Sequence, residues 1–117
     1  MGEPSQDITA ARIYDRFRGL IAVGYLGSGE RLPTVRQTAA DLGVALSTAA
    51  RAYRRLEAAG LVTTRIGSGT RVSDGASPLS TQTVDQLRAL IASAQDENLS
   101  LDQITAALSA IWSVKAP

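Results

Sequence analysis

The spacing of apolar residues divides the chain into segments before any motif is considered. Ile13, Phe17, Leu20 and Ile21 recur at three- and four-residue intervals. They predict a first helix from Asp7 to about Val23, with Ser5 or Asp7 as its cap and Gly24 at its end. After a turn over Tyr25–Gly29, Val35, Ala39 and Leu42 provide the buried stripe of a second, shorter helix. A capping box marks its start: the Thr34 hydroxyl can accept from the amide of Gln37 while the Gln37 side chain reaches back to the cap amide. Pro33 stands just outside, where it breaks nothing. Gly43 supplies the left-handed residue that a sharp turn needs.

A third helix is predicted from about Ser47 to Ala59, ending at Gly60. Ala49, Ala52, Tyr53 and Leu56 face inward, which makes Tyr53 a core residue, while Ser47, Thr48, Ala50, Arg51, Arg54 and Arg55 occupy the opposite face. Beyond Gly60 the period changes to two: Leu61–Ile66 reads as a strand, Gly67, Ser68 and Gly69 as a turn, and Thr70–Val72 as the return. Such a hairpin beside a helix-turn-helix is a plausible wing, with Arg65 and Arg71 flanking a tip whose glycines let the backbone approach a phosphate or a groove edge.

The segment Asp74–Ser80 (DGASPLS) is a linker of small, turn-forming residues. It separates a first domain, residues 1–75, from a tail, residues 76–117. In the tail, Val84, Leu87, Leu90, Ile91 and Ala94 lie on one face of a helix over Thr83 to about Glu97, which Asn98 terminates. Ser100 and Gln103 form a second capping box, Leu99 and Ile104 a hydrophobic staple, and a last helix buries Ile104, Leu108, Ile111 and Trp112. A helical pair this small cannot bury such stripes alone, so pairing with a second copy is expected.

Composition narrows the chemistry. The chain of 117 residues has no cysteine and no histidine. Disulfides, thiolate nucleophiles, imidazole bases and the usual zinc ligands are therefore excluded, and the scattered carboxylates form no convincing pair. Neither an enzyme, nor a metal site, nor a cofactor is expected. Apolar runs are too short to span a bilayer and no secretion segment is visible, which reads as a soluble cytoplasmic protein. The net charge is only +1, but it is unevenly placed. Ten arginines face four acids between Ile8 and Val72, whereas Arg88 and Lys115 face Asp85, Asp96, Glu97 and Asp102 in the tail. A basic front and a mildly acidic back point to phosphates at the front, with a merely solvated arginine-rich surface as the alternative.

The stretches GERLPTVRQTAADLGV, STAARAYRRLEAAGLV and GSGTRV, in this order and spacing, closely resemble the winged helix-turn-helix domain of the GntR family of bacterial transcription regulators. The resemblance covers about residues 8–73. RAYRRLEAAGLV with a short two-helix tail is most similar to the YtrA-type subfamily, whose members bind operators as homodimers. The resemblance implies a mainly α fold with a small β-hairpin, a winged helix-turn-helix followed by a C-terminal two-helix hairpin for dimerisation. It also implies a sequence-specific, homodimeric repressor of a bacterial operon, its own with a neighbouring transporter, on a palindromic DNA operator.

Carried over residue by residue, Arg36 matches the family's arginine at the start of the second helix, Thr48 the polar residue near the start of the reading helix, and Arg51 a basic position of the subfamily. Gly67 and Gly69 match the wing glycines. The expected DNA-binding set is Arg36, Ser47, Thr48, Arg51, Arg54, Arg65, Gly67, Ser68 and Gly69. The expected dimerisation set is Val84, Leu87, Leu90, Ile91, Ile104, Leu108, Ile111 and Trp112. Ala45 and Leu46 depart from the pattern, in which a serine or asparagine cap is followed by arginine or proline. An alanine cap costs roughly 1 kcal/mol, so the helix is expected to start later, with Ser47 as its cap.

Arg54 and Arg55 have two readings, DNA contact or surface pairing with Glu57 and Asp41, and Arg12, Arg16 and Arg18 are read as solvating the first helix. Larger regulators of this family carry a C-terminal effector domain, whereas 42 residues follow Gly75 here. Control by protein level, or by an effector at the dimer interface, is therefore expected. The competing function is a winged helix that binds an acidic protein partner instead of an operator.

Overall fold

The computed structural model describes residues 6–74, 76 and 78–115; Ser5, one candidate cap, and Gly75, the expected domain edge, lie outside them. In order, the elements are α1 (Gln6–Ala22), α2 (Val35–Leu42), α3 (Leu46–Ala58), β1 (Val62–Arg65), β2 (Gly69–Val72), α4 (Thr81–Asp96) and α5 (Leu101–Lys115). Compactness divides the chain into two units that meet between Leu79 and Ser80. No helix among the described residues is long and apolar enough to cross a membrane.

In the first unit, α3 is the central element and packs on α1, α2 and β1. Ala10, Ile13, Phe17 and Ile21 of α1 meet Ala52, Tyr53 and Leu56 of α3, and Leu32, Val62 and Val72 close the cluster. Burying each large apolar side chain contributes roughly 1.5–3 kcal/mol, so this cluster holds α3 in place. The capping box at α2 is formed as its sequence predicts: the Gln37 amide donates to Thr34 Oγ1 at 3.0 Å and the Thr34 amide donates to Gln37 Oε1 at 2.8 Å. Gly43 takes φ 66°, the left-handed conformation that turns the chain from α2 into α3.

Leu42 does not join the buried stripe of α2. It is 46% exposed, and Thr38 is buried in its place. An eight-residue helix spans little more than two turns, so its last side chain overhangs the contact with α3.

The hairpin pairs antiparallel in the register Val62↔Val72, Thr63↔Arg71, Thr64↔Thr70 and Arg65↔Gly69. Gly69 therefore belongs to the strand rather than to the turn. A further segment extends this sheet. The amides of Gly29 and Leu32 donate to the carbonyls of Val72 and Thr70, the Val72 amide donates to Glu30, and Arg31 bridges Arg71. The linker is also tied down: Ala76 packs against the core, and the Leu79 amide donates to the Ala22 carbonyl.

In the second unit, α4 starts two residues earlier than its apolar stripe suggests, because the Ser80 hydroxyl accepts from the Thr83 amide and caps it. Asn98, at φ 59°, ends the helix in the left-handed region. The second capping box is formed, with Ser100 and Gln103 exchanging hydrogen bonds of 2.8 and 3.1 Å. The two helices meet at this elbow and are not packed along their lengths. Ala94 alone among the described residues of this unit is buried, and Val84, Leu87 and Ile104 are half-buried. The expected burial of Leu108, Ile111 and Trp112 does not occur within one chain, because α5 diverges from α4 and leaves them exposed.

Candidate nucleic-acid interface

α3 is held by a polar latch inside an otherwise apolar contact. Tyr53 Oη donates to the Pro33 carbonyl at 2.6 Å, and Thr38 Oγ1 lies 2.8 Å from the same hydroxyl. Because the phenol proton is committed to Pro33, Thr38 donates to Tyr53. The Phe17 ring meets the Tyr53 ring edge-on, with centroids 5.6 Å apart. Burial raises the Tyr53 pKa above its ordinary value, opposed in part by the hydrogen bond from Thr38. One side chain thus ties α3 to α1, to α2 and to the turn before α2.

The start of α3 differs from expectation. The helix begins at Leu46, and its cap is Ala45, in extended conformation and with no side-chain hydrogen bond. Ser47 is therefore the second residue of the helix and not its cap. The inward set Ala49, Ala52, Tyr53 and Leu56 is buried as expected, and Thr48 joins it at the edge of that face. Ser47 and Arg54 are exposed and Arg51 is half-buried, but Thr48 is only 2% exposed. Thr48 is thus corrected from a base-reading candidate to a core residue. Leu46, by contrast, takes an exposed position.

Arg36, the second residue of α2, is exposed at the capped helix start. Helix starts of this kind favour anions. Arg55 has a packing role: its guanidinium lies 4.6 Å from the centre of the Tyr14 ring on α1. The Arg18 guanidinium lies 5.8 Å from the same ring.

The wing brings together residues that are distant in sequence. Paired strand residues share a sheet face, so Arg31, Arg71 and Thr63 lie on one side, with Arg65 and Gly69 as the next pair on that side. A concavity of about 350 Å³ is lined by Gly29, Thr63, Arg65, Ser68, Gly69, Arg71, Val72 and the acidic Asp74. The Arg71 guanidinium donates to the Gly29 carbonyl at 3.1 Å. The Arg31 guanidinium lies across Gly69: a β-carbon there would stand 2.8 Å from Arg31 Nε. Gly69 therefore makes room for an arginine as well as supplying a positive φ of 74°.

Arg31 was not among the expected contacts. Its only sequence signal is position, an arginine between Gly29 and Leu32 in a segment that reads as turn but pairs as strand. At the tip, Ile66 is fully exposed next to Gly67.

This arrangement, a capped helix, a glycine turn, a second helix latched to the first and a basic two-stranded wing, matches a known pattern. The family model described as bacterial regulatory proteins, gntR family, matches residues 9–72. The chain belongs to the GntR family. This family and the relatives found for the chain are regulators of transcription, not enzymes. The HTH-type transcriptional regulator Rv1152 of Mycobacterium tuberculosis is 47% identical over 72 residues, 62% of this chain and 56% of that protein. The HTH-type transcriptional repressor YtrA of Bacillus subtilis is 29% identical over 98 residues, 80% of this chain and 75% of its own.

Among solved structures, YtrA from Sulfolobus acidocaldarius, a GntR-family transcription factor, superposes with a TM-score of 0.53 at 29% identity, covering 91% of this chain and 89% of that one. A transcriptional regulator from Oenococcus oeni shares the fold, with a TM-score of 0.57 at 24% identity over 96% and 97% of the two chains. The likeness to the YtrA-type proteins thus extends past the winged unit into the tail. The chain spans 56% of the Mycobacterium tuberculosis relative, and 13% and 16% of two longer relatives, the probable rhizopine catabolism regulatory protein MocR of Rhizobium meliloti and the vitamin B6 salvage pathway transcriptional repressor PtsJ of Salmonella typhimurium.

Proposed function

We propose that this GntR-family chain is a sequence-specific DNA-binding regulator that acts as a homodimer, built through its tail, and represses transcription from a palindromic operator. The observation that carries the reading is α3 itself. It is fixed by the Tyr53 latch while Ser47, Arg51 and Arg54 occupy its outer side, the residue types that fit a major groove roughly 12 Å wide. Arg36 at the start of α2 and Arg31, Arg65 and Arg71 on the wing supply phosphate contacts. Gly67, Ser68 and Gly69 let the wing backbone approach the duplex closely. A twofold dimer sets two reading helices about 34 Å apart, or a multiple of that, which demands a symmetric site. Repression, the role in the name of the Bacillus subtilis relative, is the sign we assign.

A mobility-shift assay tests this reading on sites selected by the full-length protein from a random duplex library, with the promoter of its own gene as a second probe. Binding should fall steeply as salt rises, in proportion to the phosphates neutralised. Arg36→Ala should weaken it by a similar factor on every site, and Arg51→Ala should also weaken it. Recovery of no sequence from the library, together with specific capture of an acidic protein partner, would replace this reading by that of a protein-interaction module.

A further inference from the structure

The second unit carries an apolar surface that nothing in its own two helices covers. From Ile104 to Val114 α5 has no charged residue, yet Trp112 is 77% and Ile111 63% exposed, and Leu101, Leu108 and Val114 are exposed as well. A helix so poor in charge on every side belongs inside a bundle. One of its polar groups is also prepared for burial: Thr105 Oγ1 donates to the Leu101 carbonyl at 2.8 Å, so this hydroxyl does not depend on water. Beside the elbow, Ile91, Ala94, Leu99, Leu101 and Ile104 line an apolar notch of about 220 Å³. One chain thus presents both a large aromatic knob and a hole of matching character.

We infer that α5 pairs antiparallel with α5 of a second copy about a twofold axis at Leu108, and that Trp112 of each copy seats in the elbow notch of the other. The inference rests on the dimer reading above and specifies its register. The knob and the hole set this register, because position 112 lies opposite position 104 only when the axis falls at Leu108; the seam spacing marks α5 as a pairing helix. Leu101, Ile104, Leu108 and Ile111 follow the alternating three- and four-residue steps of a helix–helix seam. In an antiparallel pair centred on Leu108, position 112 of one helix lies opposite position 104 of the other, and Ile104 is a wall of the notch. Ile111 then lies opposite Thr105, whose hydroxyl is already satisfied. Such an interface is isologous: the knob meets the hole twice by symmetry.

The absence of native cysteine and the single tryptophan make the test direct. In the full-length protein, Leu108→Cys should be joined to its symmetry mate by a short bifunctional thiol reagent, giving a covalent dimer. Leu101→Cys should not, because seven residues on each side of the axis separate the two sulfurs by about 21 Å. Trp112 emission should be blue-shifted and shielded from quenchers in the wild type, and red-shifted in Leu108→Arg, which sedimentation should show to be monomeric. A wild-type chain that is monomeric at micromolar concentration overturns the dimer reading together with this inference. A dimer in which Leu108→Cys does not link, in which Leu101→Cys links as readily, or in which Trp112 emits as a solvated indole overturns the inference alone.

Discussion

The hydroxyl of Tyr53 on α3 donates to the carbonyl of Pro33 at 2.6 Å, across a sequence separation of 20 residues. Removing that hydroxyl leaves both the Pro33 carbonyl and the Thr38 hydroxyl, which is 3% exposed as part of its residue, without this partner. Tyr53→Phe should therefore destabilise the protein by about 1–3 kcal/mol while keeping the edge-on contact with Phe17. Urea denaturation of the two proteins at neutral pH measures the difference. An unchanged midpoint would show that water replaces the phenol at no cost.

The same hydroxyl predicts an alkaline limit. Desolvation raises the Tyr53 pKa above its ordinary 10.0 in the folded state. The folded protein then holds the phenol proton more tightly than the unfolded chain. The resulting stability is complete below pH 10 and is lost as pH rises from there through the raised value. The stability gap between wild type and Tyr53→Phe should narrow between neutral pH and about pH 11. A constant gap over that range would contradict the shift.

Local chemistry was readable from the sequence where the deciding atoms are neighbours in the chain. Thr34 with Gln37, Gly43, Asn98 and Ser100 with Gln103 all act within a few residues, and each occupies its expected place. Features set by tertiary packing were not readable. The pairing of Arg31 with Arg71 joins positions 40 apart, and the seat of its guanidinium on Gly69 depends on that pairing. The start of α3 and the burial of Thr48 were not readable for a related reason. Cap preference favoured Ser47, but packing of Ala49, Ala52 and Leu56 starts the helix at Leu46 despite a cap that offers no side-chain hydrogen bond.

Two wing glycines with positive φ separate backbone strain from the arginine seat. Gly67 has φ +86° with nothing near its would-be β-carbon, whereas Gly69 has φ +74° and Arg31 Nε at 2.8 Å. Alanine at either position costs about 1 kcal/mol of conformational strain. Only Gly69→Ala also displaces the Arg31 guanidinium. In the proposed complex, Gly69→Ala combined with Arg31→Ala should be no weaker on DNA than Gly69→Ala alone, while Gly67→Ala and Arg31→Ala should add. Equal additivity in both pairs, measured by mobility shift, would remove the seat from the interface.

The bare cap of α3 is a place to gain stability. Ala45 already has the extended conformation of a cap, φ −65° and ψ 148°, and the amide of Thr48, which a capping oxygen would serve, already turns toward residue 45 and donates to its carbonyl at 3.1 Å. Ala45→Ser should stabilise the protein by about 0.5–2 kcal/mol. A thermal midpoint no higher than that of the wild type would show that the serine oxygen does not reach the helix amides.

Ser47 and Thr48 are adjacent and chemically similar, yet they should fail in opposite ways. The Ser47 side chain is exposed on the first turn of α3, while Thr48 is among the most deeply buried residues of the chain. Ser47→Ala should leave stability within about 0.5 kcal/mol of wild type, as surface changes do, and alter which sites are selected from a random library. Thr48→Ala opens space beneath the first turn and should cost about 1–2 kcal/mol. Well below its melting temperature, its selected sites should match those of the wild type, because the side chain reaches no base. If Thr48→Ala changed the selected sequence at full folded occupancy, α3 would have to turn on binding so as to bring Thr48 outward. The Tyr53 latch, which fixes that turn in the free protein, would then have to open on DNA.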